Sequence, residues 1–232
     1  MARYAISDIH GCSKSFNAVL GDLKLEKGDE LFLLGDYVGK GPDSKGVLDM
    51  ILDLQNNSSL KISALRGNHE QKLLDAYESR QEAEQYLQDP DNTITLESFG
   101  VKTPAETPQK CIEWLKNLGY YCETNEHILV HAGLNFDADE PLSDHHSMLY
   151  IKNFNVDPAR INNKCLIHGH NPQDIMIIHQ QMFGQCNRIN IDGGCVYYKN
   201  PELGHLIAID IDTKQLFAQP NIDSPYNIAI KH

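Results

Sequence analysis

Aspartate, histidine and asparagine side chains recur in short glycine-containing clusters, and four of the five clusters directly follow an apolar run. The clusters are Asp8–Gly11, Gly35–Val38, Gly67–Glu70, His131–Gly133 and His168–Asn171. Imidazole together with oxygen ligands suits borderline divalent metals such as Mn, Fe, Co, Ni or Zn. A carboxylate can bridge two ions, so this set is sufficient for two metals about 3.5–4 Å apart. Such a pair favours phosphoester hydrolysis, because it lowers the pKa of a shared water and holds the oxygens of an in-line displacement.

Each cluster taken alone has a simpler explanation. An aspartate at a strand end, such as Asp36, is usually a turn or cap residue. A histidine that ends an apolar strand, such as His131, is usually buried with an ordinary hydrogen bond. His168 and His170 alternate along a strand end, so they are expected to point to opposite sides. The joint occurrence is what favours a metal site, because strand ends converge on the rim of an α/β sheet where ligands bind.

The elements that must position these clusters alternate over the first 70 residues. Apolar runs at 3–7, 31–34 and 62–65 predict strands, and helical spacing between them predicts two helices, the first of them capped by Ser13 or Ser15. This order predicts parallel strands with right-handed crossovers. From residue 127 onward, short apolar runs with short turns predict a second, largely antiparallel half. Its predicted strands are 128–131, 165–168, 175–179, 189–192, 206–211 and 215–218.

Residues 71–120 differ in character, because they are rich in Glu, Gln, Asp and Lys. We expect a turn at Asp89–Asn92 and a helix that starts near Thr107 and Pro108. We interpret 71–120 as a helical insertion or cap, which shapes substrate access, within a single domain that spans 1–232.

Composition and charge argue against some classes of binding partner. The chain has 232 residues and a formal net charge of −12, which argues against general binding to nucleic acid or to an anionic membrane. No apolar run approaches the ~20 residues needed to span a bilayer, and we see no signal peptide. The six cysteines, including Cys186, show no CxxC pair, so we expect reduced thiols and a cytoplasmic location. Of the 11 histidines, we expect those outside the clusters to be ordinary, namely His127, His145, His146, His179, His205 and His232.

The combined motifs resemble those of the metallophosphoesterases. The resemblance is strongest to the phosphoprotein phosphatase branch, which includes bacterial serine/threonine phosphatases and diadenosine tetraphosphatases. It is carried by Asp8-x-His10-Gly11, Gly35-Asp36-x-Val38-x-x-Gly41-Pro42-Asp43-Ser44, Gly67-Asn68-His69-Glu70, His131-Ala132-Gly133, Gly169-His170-Asn171 and Ile191-Asp192-Gly193-Gly194. The resemblance covers nearly the whole chain. It implies an α/β fold, an αββα sandwich of two mixed β-sheets flanked by helices.

The same resemblance implies roles for individual residues. The first metal would be bound by Asp8, His10 and Asp36, and Asp36 would bridge the two ions. The second metal would be bound by Asp36, Asn68, His131 and His170. We expect Mn as the ion, with Fe, Zn, Ni or Co as alternatives. His69 would be the general acid that protonates the leaving-group oxygen, and His168 would have a structural role.

The sequence departs from the family pattern at the phosphate-binding positions. Gly39 stands where an Asp normally pairs with the general-acid histidine, and Lys40 stands where an Arg binds phosphate. Lys152 aligns with a second phosphate-binding Arg, so Lys40, Lys152 and Asn68 are the expected substrate-binding residues. Lysine keeps the charge but lacks the planar two-pronged geometry of arginine. We therefore expect activated esters or anhydrides as substrates, and higher monoesterase activity in a Gly39→Asp, Lys40→Arg variant.

Three functions stay open at this stage. The first is a two-metal phosphoesterase acting on phosphomonoesters, which include phosphoproteins. The alternative is a hydrolase of dinucleoside polyphosphates such as diadenosine tetraphosphate. The third is a metal-binding protein with weakened catalysis. The partner is accordingly a phosphorylated small molecule or a phosphoprotein, and the sequence sets no oligomeric state.

Overall fold

Two β-sheets form the centre of the computed structural model, which describes residues 1–57, 59–184 and 187–225. The strands of this part of the chain are β1 (Arg3–Ile6), β2 (Glu30–Leu33), β3 (Lys61–Ala64), β4 (Tyr121–Glu123), β5 (His127–Val130), β6 (Cys165–His168), β7 (Arg188–Asn190), β8 (His205–Asp210) and β9 (Leu216–Pro220). The helices are α1 (Ser13–Leu23), α2 (Ser44–Asn57), α3 (Asn68–Glu78), α4 (Arg80–Tyr86), α5 (Pro90–Phe99), α6 (Gln109–Lys116), α7 (His145–Tyr150) and α8 (Ile175–Phe183).

Both sheets are mixed. The first has the order β3-β2-β1-β8-β9, with β1 to β3 parallel and β8 and β9 antiparallel to their neighbours. The second has the order β4-β5-β6-β7, with β4 antiparallel to β5 and the others parallel. The fold predicted from the sequence, two mixed sheets flanked by helices, is confirmed.

Three buried apolar clusters separate the layers. One cluster joins α1, α2, α3 and α6 to the outer face of the first sheet. A second lies between the sheets, where Ala5 and Phe32 of the first sheet pack with Leu129 and Ile167 of the second. The third covers the outer face of the second sheet with Leu134, Met148 and Ile161. Because side chains alternate along a strand, each sheet can contribute to two clusters and remain fixed on both faces.

The prediction of a largely antiparallel second half is wrong for the second sheet, where β5, β6 and β7 are parallel. The connections between them are long and carry α7 and α8, and such crossovers permit parallel pairing. The strand predicted at 175–179 is also wrong, since these residues begin α8. Asp174 caps that helix by accepting a hydrogen bond from the backbone N–H of Met176 at 2.6 Å. Ile178 and Met182, four residues apart, form its buried face.

Residues 71–120 are mainly helical, and they contain more helix than expected. Residues Asp89–Asn92 do not form an isolated turn, because Asp89 caps α5 and Pro90 is the first residue of that helix. The predicted helix near Thr107 is α6. The backbone carbonyl of Asp91 accepts a hydrogen bond from the N–H of Lys40 at 2.8 Å, so α5 contacts one of the predicted site residues directly.

Two smaller predictions have clear outcomes. Neither Ser13 nor Ser15 caps α1; the carboxylate of Asp223 does so, by accepting the N–H groups of Lys14 and Ser15 at 2.9 Å each. Five cysteines are free thiols, whereas Cys186 and His232 lie outside the described residues. Across the described chain, no helix is long and apolar enough to cross a membrane.

Candidate metal centre

The predicted clusters meet at one rim of the sandwich, because the strands that precede them run parallel within each sheet. Asp8 and Asp36 follow β1 and β2, while His131 and His170 follow β5 and β6. Asp8, His10, Asp36, Lys40 and His170 all adopt positive φ, between 47° and 70°. Such backbone is costly for residues other than glycine and persists where the surrounding structure holds it. The rim is therefore a strained segment of backbone that aims polar side chains at one point.

Asp36 lies at the centre of the predicted ligands. Its Oδ1 is 3.5 Å from Nε2 of His131, and its Oδ2 is 3.4 Å from Nε2 of His10. Oδ1 also accepts the backbone N–H of His69 at 3.0 Å. Burial raises the pKa of Asp36, but the imidazoles of His131, His69 and His10 outweigh burial and hold that pKa below its usual range. Asp36 therefore joins two groups of ligands, as a bridging carboxylate would.

The second donor set comprises Asp36, Asn68, His131 and His170. Nδ1 of His131 hydrogen bonds the carbonyl of Leu34 at 2.9 Å, which places the proton on Nδ1 and the lone pair on Nε2. That Nε2 lies 3.0 Å from Oδ1 of Asn68 and 3.2 Å from Nδ1 of His170. Asp36, His131 and His170 converge closely enough to ligate one ion.

This set fits a divalent metal. Nε2 of His131 faces two oxygens, Asn68 Oδ1 and Asp36 Oδ1, as well as Nδ1 of His170. Burial lowers the pKa of His131, but the carboxylates of Asp36 and Asp8 outweigh burial and raise it, so the surroundings favour positive charge at this point. A divalent ion bound by these nitrogen and oxygen atoms would supply that charge. The mixture of imidazole and oxygen donors matches the borderline metals predicted from the sequence.

The first donor set comprises Asp8, His10 and Asp36. Nδ1 of His10 hydrogen bonds the carbonyl of Val38 at 3.1 Å, so Nε2 carries the lone pair. Nε2 is 3.9 Å from Oδ1 of Asp8. The Nζ of Lys40 lies 3.0 Å from the same Nε2. Burial, followed by the charge on Lys40, lowers the pKa of His10 to about 3. All three predicted ligands are thus present, together with a lysine that the motif does not place among them.

Asp8 also forms hydrogen bonds outside the first donor set. Its Oδ2 accepts hydrogen bonds from the hydroxyl of Ser7 and, at 3.0 Å, from the backbone N–H of His170. Burial, more than any other influence, raises the pKa of this carboxyl. A Cβ on Gly169 would lie 2.0 Å from Asp8 Oδ2, so only glycine allows this approach between the two strand ends. Asp8 therefore links the two sheets in addition to facing the first donor set.

His69 packs into the space where the family pattern has a carboxylate. An added Cβ at Gly39, whose φ is +86°, would lie 2.3 Å from Nδ1 of His69. The ring of His69 meets that of His10 edge-on at 4.8 Å. Burial lowers the pKa of His69 well below its usual value. The geometry corrects the expectation for Gly39→Asp, because the new side chain would displace His69 before it could pair with it.

Neither neighbouring carboxylate is available to replace that missing partner. Glu70 accepts the backbone N–H groups of Asp36 and Tyr37 at 2.8 Å each and that of Gly67 at 2.9 Å. Asp43 accepts the N–H of Gly46 at 2.9 Å in the first turn of α2. Both side chains fix loops beside the site.

His168 is structural, as expected. It is fully buried, its Nδ1 lies 2.9 Å from the carbonyl oxygen of Gly169, and its Nε2 accepts a hydrogen bond from Nε of Arg188 at 2.8 Å. Arg188 in turn stacks over Phe154, 4.1 Å from the ring centroid. The other described histidines that we expected to be ordinary lie in neither donor set, namely His127, His145, His146, His179 and His205.

A cavity of about 560 Å³ opens onto the metal centre. The three predicted substrate-binding residues, Lys40, Lys152 and Asn68, all line it. Sequence reasoning missed the remaining wall, which is formed by Lys72, Asp91, Asn171, Pro172, Tyr197, Lys199 and Asn200. Asn171 belongs to one of the sequence clusters but was given no role, and the others come from α3, α5 and separate loops, so no spacing along the chain marks them together.

A family comparison agrees with this geometry. The sequence model described as calcineurin-like phosphoesterase matches residues 1–212. The chain belongs to this family. As a calcineurin-like phosphoesterase it is a metal-dependent hydrolase of phosphoester bonds, which confirms the enzyme class predicted from the sequence.

Two sequence relatives and one solved structure are similar to this phosphoesterase. A symmetrical bis(5'-nucleosyl)-tetraphosphatase of Nitrosospira multiformis is 31% identical over 135 residues, which cover 58% of this chain and 44% of that protein. One from Wigglesworthia glossinidia brevipalpis is 41% identical over 78 residues, 33% of this chain and 27% of that protein. The matched part thus spans less than half the length of these relatives. A solved protein serine/threonine phosphatase from Saccharomyces cerevisiae superposes with a TM-score of 0.63 at 14% identity, over 97% of this chain and 81% of that chain, and this likeness shows the fold alone.

Proposed function

We propose that the protein hydrolyses dinucleoside polyphosphates, with diadenosine tetraphosphate as the model substrate. Manganese is the ion we propose, with Asp36, Asn68, His131 and His170 as the ligands of the second donor set and Asp8, His10 and Asp36 as those available in the first. A bound divalent ion would supply an activated water as the nucleophile and would offset charge on the phosphoryl oxygens. The observation that carries the proposal is the set of lysines in the cavity beside these ligands.

Four lysines line the cavity, namely Lys40, Lys72, Lys152 and Lys199. Each is a point charge that attracts phosphate oxygens without fixing their geometry. A single phosphomonoester has too few anionic oxygens to engage charges distributed around a cavity of about 560 Å³. A chain of linked phosphates is longer and carries more charge, so it matches this distribution better.

The cavity also offers groups suited to a nucleoside. The Tyr197 ring forms part of the wall, near the amides of Asn171 and Asn200. An aromatic face stacks on any nucleobase, and amide groups hydrogen bond its edge or its ribose. A phosphorylated protein side chain has no base to stack on the Tyr197 ring.

The surroundings of His69 favour a leaving group that departs without much help. Gly39 removes the carboxylate that would otherwise stabilise the protonated imidazole, and Glu70 and Asp43 are used elsewhere. A nucleotide leaving from an anhydride departs as a stabilised phosphate anion, whereas an alcohol leaving from a monoester needs a proton. In this proposal His69 hydrogen bonds the departing oxygen, and Lys40 and Lys152 orient the phosphates.

The named activity of the relatives supports the same substrate class. Both tetraphosphatases described above carry that activity in their names. The two departures from the phosphatase motif, Gly39 and Lys40, argue against optimal monoesterase chemistry for the reasons given above. The alternative reading of the sequence, a dinucleoside polyphosphate hydrolase, is therefore the one we adopt.

The test compares two substrates in one preparation. Manganese-loaded protein is incubated with diadenosine tetraphosphate and, separately, with a phosphoserine peptide, and products are resolved by anion-exchange chromatography. We expect conversion of diadenosine tetraphosphate and one water to two ADP, at a rate well above that of phosphate release from the peptide. Faster peptide dephosphorylation would instead establish a phosphomonoesterase. No turnover of either substrate would establish the third reading, a metal-binding protein with weakened catalysis.

A further inference from the structure

We infer that the ammonium group of Lys40 takes the place of a metal ion in the first donor set, so that the resting protein holds one tightly bound divalent ion, in the second donor set. This inference rests on the metal binding in the proposed function, but it does not depend on the substrate. It concerns a residue that the sequence motif places on phosphate and that the structure places against a metal ligand.

The first step is the lone pair of His10. Because Nδ1 of His10 bonds the carbonyl of Val38, the only lone pair available for a metal is on Nε2. Lys40 Nζ donates to that lone pair at 3.0 Å. A metal bound by histidine lies about 2.0–2.2 Å from the nitrogen, along the same direction. The ion and the ammonium would overlap, so one excludes the other.

The second step is that the backbone around Lys40 is held in position. Its N–H donates to the carbonyl of Asp91 at 2.8 Å, and the N–H of Gly39 donates to Oγ1 of Thr95 at 2.9 Å. Both acceptors belong to α5. The Lys40 Nζ also lies 5.5 Å from the centroid of the Tyr197 ring, within range of a cation–π interaction. These contacts set where the side chain leaves the backbone and place an aromatic ring beside its ammonium.

The third step is the contrast between the sets. In the second set, Nε2 of His131 faces Oδ1 of Asn68, Oδ1 of Asp36 and Nδ1 of His170, all of them atoms that can bind a metal. In the first set, the ammonium already neutralises the His10 lone pair, beside the Asp36 carboxylate. Oδ1 of Asp8, the remaining ligand, is 3.9 Å from Nε2 of His10, and the other oxygen, Oδ2, accepts hydrogen bonds from Ser7 and His170. The first set thus has an ammonium of the chain against its histidine, whereas the histidine of the second set faces other metal-binding atoms.

The inference has a consequence for how a phosphoryl group binds. A phosphoryl group that enters the cavity would contact one divalent ion and one ammonium, where the family pattern supplies two ions. The ammonium can follow the phosphate as it moves, since it sits on a flexible four-carbon chain. Lys40 can thus serve both the metal site and the substrate.

The test measures metal content and metal–metal coupling, neither of which requires turnover. Wild-type protein is stripped with chelator, loaded with Mn²⁺ and desalted, and its metal is counted by mass spectrometry. We expect about one ion per chain for the wild type and about two for Lys40→Met, which keeps the side-chain length and removes the charge. Electron paramagnetic resonance should show isolated Mn²⁺ in the wild type and an exchange-coupled pair in Lys40→Met.

Lys199→Met is the matched control, because it removes a lysine from the same cavity that is not in contact with a donor set; it should keep the wild-type count. Circular dichroism checks folding, and Lys40→Gln replaces Lys40→Met if the latter is misfolded. Two tightly bound ions in the wild type, or one ion in both folded Lys40 variants, would overturn the inference. If neither wild type nor variant binds metal, the proposed function fails as well, and if stoichiometry behaves as expected without diadenosine tetraphosphate hydrolysis, only the substrate assignment fails.

Discussion

The two donor sets that share Asp36 are built from similar residues but differ in their charge balance. Around His131 and His170, two imidazole nitrogens and the oxygens of Asn68 and Asp36 converge. Around His10, an ammonium group of the chain itself lies at hydrogen-bond distance. Both sets sit on strained backbone at strand ends and both are buried. The contrast shows that a complete list of ligands does not define a metal site, since a single substituted neighbour decides whether the ligands need an ion.

We expect the largest effect from a substitution of Asp36, the residue that both donor sets share. In Asp36→Asn, the central oxygen charge is lost while the side-chain shape is kept. Hydrolysis of diadenosine tetraphosphate should fall by about 10³-fold or more, because the group that positions the charges at the reacting phosphate is gone. Initial rates at saturating Mn²⁺ measure this, with Asp137→Asn at an exposed position as the control. Retention of more than a tenth of the activity would contradict a central role for Asp36.

Substituting one histidine in each donor set tests whether the two sets differ in Mn²⁺ affinity. His131→Ala should weaken Mn²⁺ binding by about 100-fold or more, since it deletes a ligand of the set that needs an external cation. His10→Ala should leave the tight Mn²⁺ affinity close to that of the wild type. Isothermal titration calorimetry at one pH gives both values. Equal losses in the two variants would show that the sets are equivalent.

The predicted ligands come together in the structure because their positions are tied to strand ends. Asp8, Asp36, His131 and His170 each follow a strand, and the parallel pairing of those strands brings them to one rim. Spacing along the chain does not predict which cation each set of ligands contacts. Whether Lys40 points to phosphate or to His10 depends on contacts with α5, whose Asp91 and Thr95 lie far away in the chain.

The errors in the fold prediction have a related cause. The apolar run from Ile175 to His179 fits a strand or a helix equally well by composition. The outcome is decided by Asp174, which caps α8, and by the long connection that allows β6 and β7 to run parallel. Both depend on how the chain returns to the sheet, which local periodicity does not report.

A substitution at Gly39, which lies against His69, tests how tightly the region beside the first donor set is packed. Gly39→Ala should destabilise the protein by about 1–3 kcal/mol, since the backbone has positive φ and the new methyl group would overlap the His69 ring. Thermal unfolding of the metal-free protein measures the change. Gly21→Ala is the matched control, because nothing lies within 4 Å of a Cβ there and Ala is favoured inside α1. Unchanged stability in Gly39→Ala would mean that His69 has room to move, and the Gly39→Asp variant would then become a realistic route to a paired acid.

The smallest effect concerns His168, which lies next to the second set in sequence but outside it in structure. Burial, and then the charge of Arg188, lowers the pKa of His168 to about 3, from the 6.5 expected in the unfolded chain. Between these values the unfolded state binds more protons, so this contribution to stability is complete above about pH 6.5 and is lost as the pH falls towards 3. For metal-free protein, each unit of pH in that window should cost up to about 1.4 kcal/mol from this residue.

Urea unfolding at pH 7 and pH 5 measures that loss, and His168→Gln removes the titrating group while it keeps a hydrogen-bonding side chain. The variant should be less stable than the wild type at pH 7, because the amide does not reproduce the imidazole geometry between the Gly169 carbonyl and Arg188. The difference between the two proteins should shrink at pH 5, since only the wild type has to exclude a proton from that site. A constant difference at both pH values would show that His168 is not held neutral.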